Sequence, residues 1–174
     1  VKMYLKSRSL ETHEFESLLW NPNLFYEKSP NGDEVYHNAL IGKIINNNEE
    51  IVGVQRIYLN EKGEKLPKNS KKVLGKFKGA YCPIGKKSIR IHITEGIENG
   101  LTINQATGER TLALISASNF KNFVPPFYTK EVCIWADKDK SQTGQKVAYS
   151  LAKELFKKGF KVKLLIPEDD IPSN

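Results

Sequence analysis

The chain has 174 residues, 39% of them hydrophobic and 10% aromatic, with a formal net charge of +7. That length supports one domain with a sizeable core or two small ones, and the composition is that of a folded protein rather than a disordered one. No window approaches the roughly 18 uninterrupted apolar residues of a membrane span, and no charged-then-apolar leader marks export, so no membrane partner is expected.

From Val1 to Tyr26 the pattern is an amphipathic start followed by turn signals at Asn21-Pro22 and Ser29-Pro30-Asn31-Gly32. Two apolar runs, Ala39–Ile45 and Ile51–Leu59, flank a loop of asparagines and glutamates and are expected to form an antiparallel hairpin. "NEKGEK" makes a second turn into "KKVLGKFKGAYCPIG". Residues 1–87 are therefore expected to be a small, mostly antiparallel β module.

At Ser88 the pattern changes. "SIRIHIT" alternates as a strand, "EGIENGLTINQAT" follows as a helix, and "RTLALISAS" is a strand. "NFKNFVPPFYTK" is a loop, "VCIWA" a strand, "QTGQKVAYSLAKELFKKG" a helix and "FKVKLLIP" a strand. Strands alternating with helices imply an α/β unit over 88–174, built on a parallel sheet covered on both faces. Lys157-Lys158-Gly159 is a helix stop, with cations at the negative end of the dipole and then glycine. The two cysteines, Cys82 and Cys133, make neither a disulfide framework nor a zinc pattern, which fits a reducing cytoplasm.

Sites in open parallel sheets form beyond the carboxyl ends of the strands. "IRIHITEG" puts Glu95 there, and "VCIWADKD" puts Asp137 and Asp139 there. If these strands are neighbours, three carboxylates converge, and a hard divalent cation such as Mg²⁺ or Mn²⁺ relieves their repulsion. Taken separately, a D-x-D in a loop is common surface, and Glu95 is equally an acid favouring a helix N-terminus. Gly96 and Gly144 would allow close approach of a phosphate or of neighbouring backbone. The excess positive charge points to a polyanion, nucleic acid being the usual one. Candidates to meet it are Lys71, Lys72, Lys76 and Lys78, with a solvated hairpin face as the equal alternative. Lys86, Lys87 and Arg90 are candidates to face a nucleoside triphosphate, and Lys146 to meet phosphates at a helix start. Arg56, mid-strand, is a weaker candidate. Ser116, Ser118 and Asn119 either touch substrate or cap a turn. His92 reads as structural.

"ITEGIENGLT", followed about forty residues later by "IWADKDKSQTGQKVAYSLAKEL", resembles the Toprim domain shared by topoisomerases and primases. The upstream stretches "YLKSRSL", "GVQRIYLNEKGEK" and "KKVLGKFKGAYCPIG" are similar to the segment preceding Toprim in primase-like proteins of phages, plasmids and other mobile elements. Arginine at 56 is shared with that segment. The resemblance implies that Glu95 acts as general acid or base, that Asp137 and Asp139 coordinate Mg²⁺, and that Glu98 assists the metal. Two departures stand out. Gly144 comes five residues after the second aspartate instead of three, and Asn99 stands near where replicative primases often carry another aspartate. The implied activity is primase-like nucleotidyl transfer with a DNA template and nucleoside triphosphates. Metal-dependent nuclease and non-catalytic nucleic-acid binding are the alternatives. Any zinc-binding or helicase partner modules lie outside this chain.

Overall fold

The computed structural model describes residues 2–11, 15–137 and 142–166. The chain opens with a short helix, α1 (Lys2–Lys6), and then builds a four-stranded antiparallel sheet in sequential order: β1 (Leu18–Lys28), β2 (Glu34–Ile45), β3 (Ile51–Leu59) and β4 (Lys71–Gly75). The β2–β3 hairpin is the expected one. Its asparagine-rich loop supplies its own turn bonds: the Asn46 side-chain oxygen accepts from the backbone N–H groups of Asn48 at 2.9 Å and Glu50 at 3.1 Å.

β1 corrects the reading of Asn21-Pro22 as a turn. The strand runs through it, and the pairing with β2 shifts register between Asn21 and Leu24 and again between Phe25 and Glu27. Proline has no N–H to give a ladder, so a strand tolerates it at an edge and at a bulge, and β1 is an edge strand.

The second sheet has five strands in the order β5-β7-β6-β8-β9. These are β5 (Cys82–Ile84), β6 (Arg90–Thr94), β7 (Thr111–Ala113), β8 (Glu131–Trp135) and β9 (Lys161–Leu165). All neighbours pair in parallel except β5, which runs antiparallel to β7. Helix α2 (Ile97–Thr107) connects β6 to β7, and α3 (Thr143–Lys157) connects β8 to β9. The segment expected as loop after β7 contains a 3-10 turn at Ala117–Asn122. The expected stop of α3 is present, with Gly159 at φ +88.

β5 belongs by sequence to the first 87 residues but pairs with β7, so backbone hydrogen bonds join the two parts. A shared core does the same. Leu40, Ile44, Ile57 and Leu59 of the antiparallel sheet pack with Tyr4, Leu5, Ile84, Ile97, Leu101 and Ala113. One face of the parallel sheet is therefore covered jointly by α2 and the antiparallel sheet. Gly42 of β2 permits that contact, because a Cβ there would stand 2.4 Å from the Ile97 Cδ1. On the other face Ile91, Ile93, Leu112, Val132 and Ile134 pack beneath Ala148, Leu151 and Leu155 of α3. Alternation along each strand produces this sorting, since successive side chains point to opposite faces. No helix among the described residues is long and apolar enough to cross a membrane.

Candidate metal and nucleotide site

The condition set by the sequence was that the strands ending in Glu95 and Asp137 be neighbours. They are: β6 and β8 pair in parallel, with Ile93 opposite Ile134. Glu95 and Asp137 therefore leave the same carboxyl edge of the sheet, one residue beyond β6 and two beyond β8. Asp139 lies outside the described residues. Among the described residues no cluster of three or more acids, histidines or cysteines forms a complete metal site. The described donors on this edge, the carboxylates of Glu95 and Asp137, are hard oxygens, the chemistry Mg²⁺ and Mn²⁺ take, so these residues fit such an ion.

Two features brace Asp137. The Asn99 amide Nδ2, in the first turn of α2, donates to Asp137 Oδ1 at 2.7 Å. Gly144, at the start of α3, is buried, and a Cβ there would stand 2.8 Å from the Asp137 carbonyl oxygen. Glycine thus lets the helix start press against the Asp137 backbone. The approach that the sequence expected of Gly144 is made by protein backbone. Gly96 has an ordinary extended backbone (φ −102, ψ 152), and a Cβ would meet the Glu98 Oε2 at 3.4 Å, a normal contact.

Two residues before Asp137, Trp135 is anchored. Its indole Nε1 donates to His92 Nδ1 at 2.9 Å, and His92 Nε2 lies 2.7 Å from Glu109 Oε2. The indole can only donate, so Nδ1 is the acceptor and the neutral ring carries its proton on Nε2, facing Glu109. His92 is structural, as read from the sequence.

Glu98, expected to assist the metal, faces two lysines in this structure. Although it sits in the first turn of α2, its carboxylate is only 6% exposed and is engaged on both oxygens. Lys65 Nζ is 2.6 Å from Oε1, Lys71 Nζ is 3.0 Å from Oε2, and the Tyr4 hydroxyl donates to Oε1 at 3.0 Å. Burial alone would push the Glu98 carboxyl up. The charges of Lys71 and Lys65 and the Lys65 hydrogen bond outweigh it and hold the group down at about 2. Burial lowers the Lys65 ammonium against the opposing pull of Glu98. The carboxylate charge is thus balanced by Lys65, between β3 and β4, and by Lys71 of β4, with the Tyr4 hydroxyl of α1 as a further donor.

Lys71, expected to track nucleic acid, is spent on this pair. Lys72, the next residue, points to the opposite face of the sheet, as alternation requires. There it donates to the Tyr26 carbonyl at 2.8 Å, sits 3.6 Å from the Tyr26 ring centroid and lies 3.6 Å from Glu27 Oε2. Arg56 is opposite Lys72 across β3–β4 and shares that outer face, its Cζ 5.9 Å from the Tyr58 ring centroid. Lys146 is exposed near the start of α3, on the Asp137 side. Lys86 and Lys87 precede β6 and so stand at the amino edge of the parallel sheet, the end opposite Glu95. Lys87 is ion-paired with Glu49 there, and Arg90 with Glu109 and Glu131. The structure does not bring these three to the carboxylates. Asn119 is 2% exposed and bonds Gly79 N, Ala80 O and Leu114 O, which makes it a structural tie rather than a substrate contact. Ser116 and Ser118 share a hydrogen bond of 3.0 Å.

Sequence reasoning missed Lys65 and Tyr4 as partners of Glu98, and no local pattern marks them. Asn99 was noticed as a departure, and its contact with Asp137 gives that departure a physical meaning.

Comparison with known proteins adds the following. The Toprim domain family matches residues 90–173, and a domain of unknown function (DUF7146) matches residues 1–84. Among solved structures, a DNA primase domain from Pseudomonas aeruginosa is similar at a TM-score of 0.59 with 14% identity, over 98% of this chain and 64% of that one. The primase fragment of the bacteriophage T7 primase-helicase protein matches at a TM-score of 0.48 with 15% identity, over 94% of this chain and 59% of that one. This chain thus spans under two thirds of both. A comparison with curated proteins finds no match.

Proposed function

We propose that this chain, whose residues 90–173 belong to the Toprim domain family, carries out primase-like nucleotidyl transfer on a DNA template. The observation that carries the reading is the pairing of β6 with β8, which sends Glu95 and Asp137 from one sheet edge. In this account Asp137 and Asp139 hold Mg²⁺, or Mn²⁺ in its place, and Asn99 orients Asp137. Bound there, the ion would neutralise triphosphate charge and stabilise the attacking and leaving oxygens. Glu95 serves as general base, accepting the proton of the hydroxyl that attacks the α-phosphorus while pyrophosphate leaves. Lys146 meets the nucleotide phosphates near the start of α3. Template, nucleoside triphosphates, and zinc-binding and helicase modules outside this chain are the proposed partners, in the cytoplasm.

The test is synthesis and extension of labelled primers on single-stranded DNA by the 174-residue chain. Product that requires Mg²⁺ and is lost in Asp137→Ala and in Glu95→Gln is expected. Shortening of the DNA without added nucleotides would replace transferase with nuclease. DNA binding indifferent to metal and to Asp137→Ala, with no product, would leave a binding module.

A further inference from the structure

The edge of the parallel sheet opposite Glu95 and Asp137 holds a cavity of about 750 Å³ between the start of β7, the β5–β6 connection and the β2–β3 hairpin. Its lining divides in two. Phe15, Ile51 and Pro83 give it an apolar side, while Lys43, Lys86, Lys87 and Arg110 outnumber the carboxylates of Glu16 and Glu49. Its volume lies within the range of small-molecule pockets, roughly 300–1,000 Å³.

Arg110 is the informative residue. It is only 8% exposed, yet among the described residues its side chain makes one hydrogen bond, from Nη1 to the Gly85 carbonyl at 2.9 Å. Its Nε–H is buried and lacks a partner, and no carboxylate lies within ion-pair distance of the guanidinium among the described residues. A buried charge is costly unless an opposite charge compensates it. Glu49, one of the two acids on this wall, is bonded to Lys87 and interacts with Arg110 only through its charge, at longer range. Positive charge concentrated around a cavity with an apolar side is what a phosphate ester of a flat, weakly polar group would complement. A guanidinium also matches phosphate oxygens in a forked geometry.

We propose that this cavity is a second phosphate site, which takes a nucleotide with its phosphates against Arg110, Lys86 and Lys87 and its base on the Phe15 and Ile51 side. Glu49 competes with the phosphate for Lys87. The site is separate from the metal-dependent edge and needs neither Asp137 nor a metal ion. Both a free nucleotide and an unpaired nucleotide of a strand present this chemistry.

The test is calorimetric titration of the 174-residue chain in EDTA with ATP and, separately, with a thymidine oligonucleotide. Saturable binding is expected that Lys86→Ala/Lys87→Ala and Arg110→Gln each weaken about tenfold, the loss of about one charged contact. Glu49→Gln is expected to tighten it, and Asp137→Ala/Asp139→Ala to leave it unchanged. Saturation by ATP identifies a free-nucleotide site; saturation by the oligonucleotide alone, with the same dependence on the variants, identifies a strand contact. Lys86 and Lys87 are exposed, so their double variant keeps the test decisive if Arg110→Gln fails to fold. The proposal is overturned if neither probe saturates, if the lysine and Glu49 variants change nothing, or if the aspartate variant abolishes binding.

Discussion

Replacing Glu98 with glutamine removes one negative charge from a side chain that is 6% exposed and leaves Lys65 and Lys71 facing an amide. The carboxyl is held at about 2 against its ordinary 4.5. At about 1.4 kcal/mol per unit, that depression corresponds to about 3 kcal/mol of preference for the ionised, folded form. The lysines are 28% and 39% exposed and can turn partly to water, so the loss is expected at about 2–3 kcal/mol. For a chain of this length that is a fall in Tm of about 4–12 °C. The sign with pH follows from the depressed folded value. The contribution is complete above about pH 4.5 and is lost as the pH falls toward 2, so wild type and Glu98→Gln converge in acid. Thermal and urea unfolding in EDTA, at neutral pH and through the acid range, measures this. A variant as stable as wild type in EDTA that instead loses Mg²⁺ affinity would refute the reasoning and return Glu98 to the metal.

Three other substitutions separate bracing from folding. Asn99→Ala deletes the 2.7 Å bond to Asp137 and is expected to weaken Mg²⁺ binding about tenfold while moving stability by about 0.5 kcal/mol or less; unchanged metal affinity would contradict the bracing role. Alanine in place of a helical glycine normally stabilises by about 1 kcal/mol, but Gly144→Ala sets a Cβ 2.8 Å from backbone and is expected to destabilise by about 1–3 kcal/mol in urea unfolding. A gain in stability there would show that α3 does not press on Asp137. Trp135→Phe leaves His92 Nδ1 without its donor and should cost about 1–2 kcal/mol in the same assay, against no change if the bond is incidental.

What could be read from the sequence was what local pattern encodes. The β2–β3 hairpin, α2, α3 and the parallel strands follow from apolar runs and turn residues at their own positions. Acids following strand-like runs put Glu95 and Asp137 at strand ends, and the pairing of β6 with β8 brings those ends to one edge. β1 was obscured because Asn21-Pro22 carries the same local signal in a bulged edge strand as in a turn. The joining of β5 to β7 links residues about thirty apart across the change of pattern, with nothing local to mark it. The surroundings of Glu98 were hidden for the same kind of reason. Its neighbours in sequence make it look like part of the acidic edge, whereas Tyr4, Lys65 and Lys71 come from distant segments and turn its charge inward. Likewise Lys86 and Lys87 are close to Glu95 in sequence but separated from it by the length of β6, at about 3.3 Å per residue.

The central claim is that the carboxyl edge of β6 and β8 holds a divalent cation. Calorimetric titration of Mg²⁺ and Mn²⁺ into wild type and Asp137→Ala/Asp139→Ala tests it most directly. Saturable binding by wild type that disappears in the double variant is the expected result. Weak binding of equal strength in both proteins would contradict it.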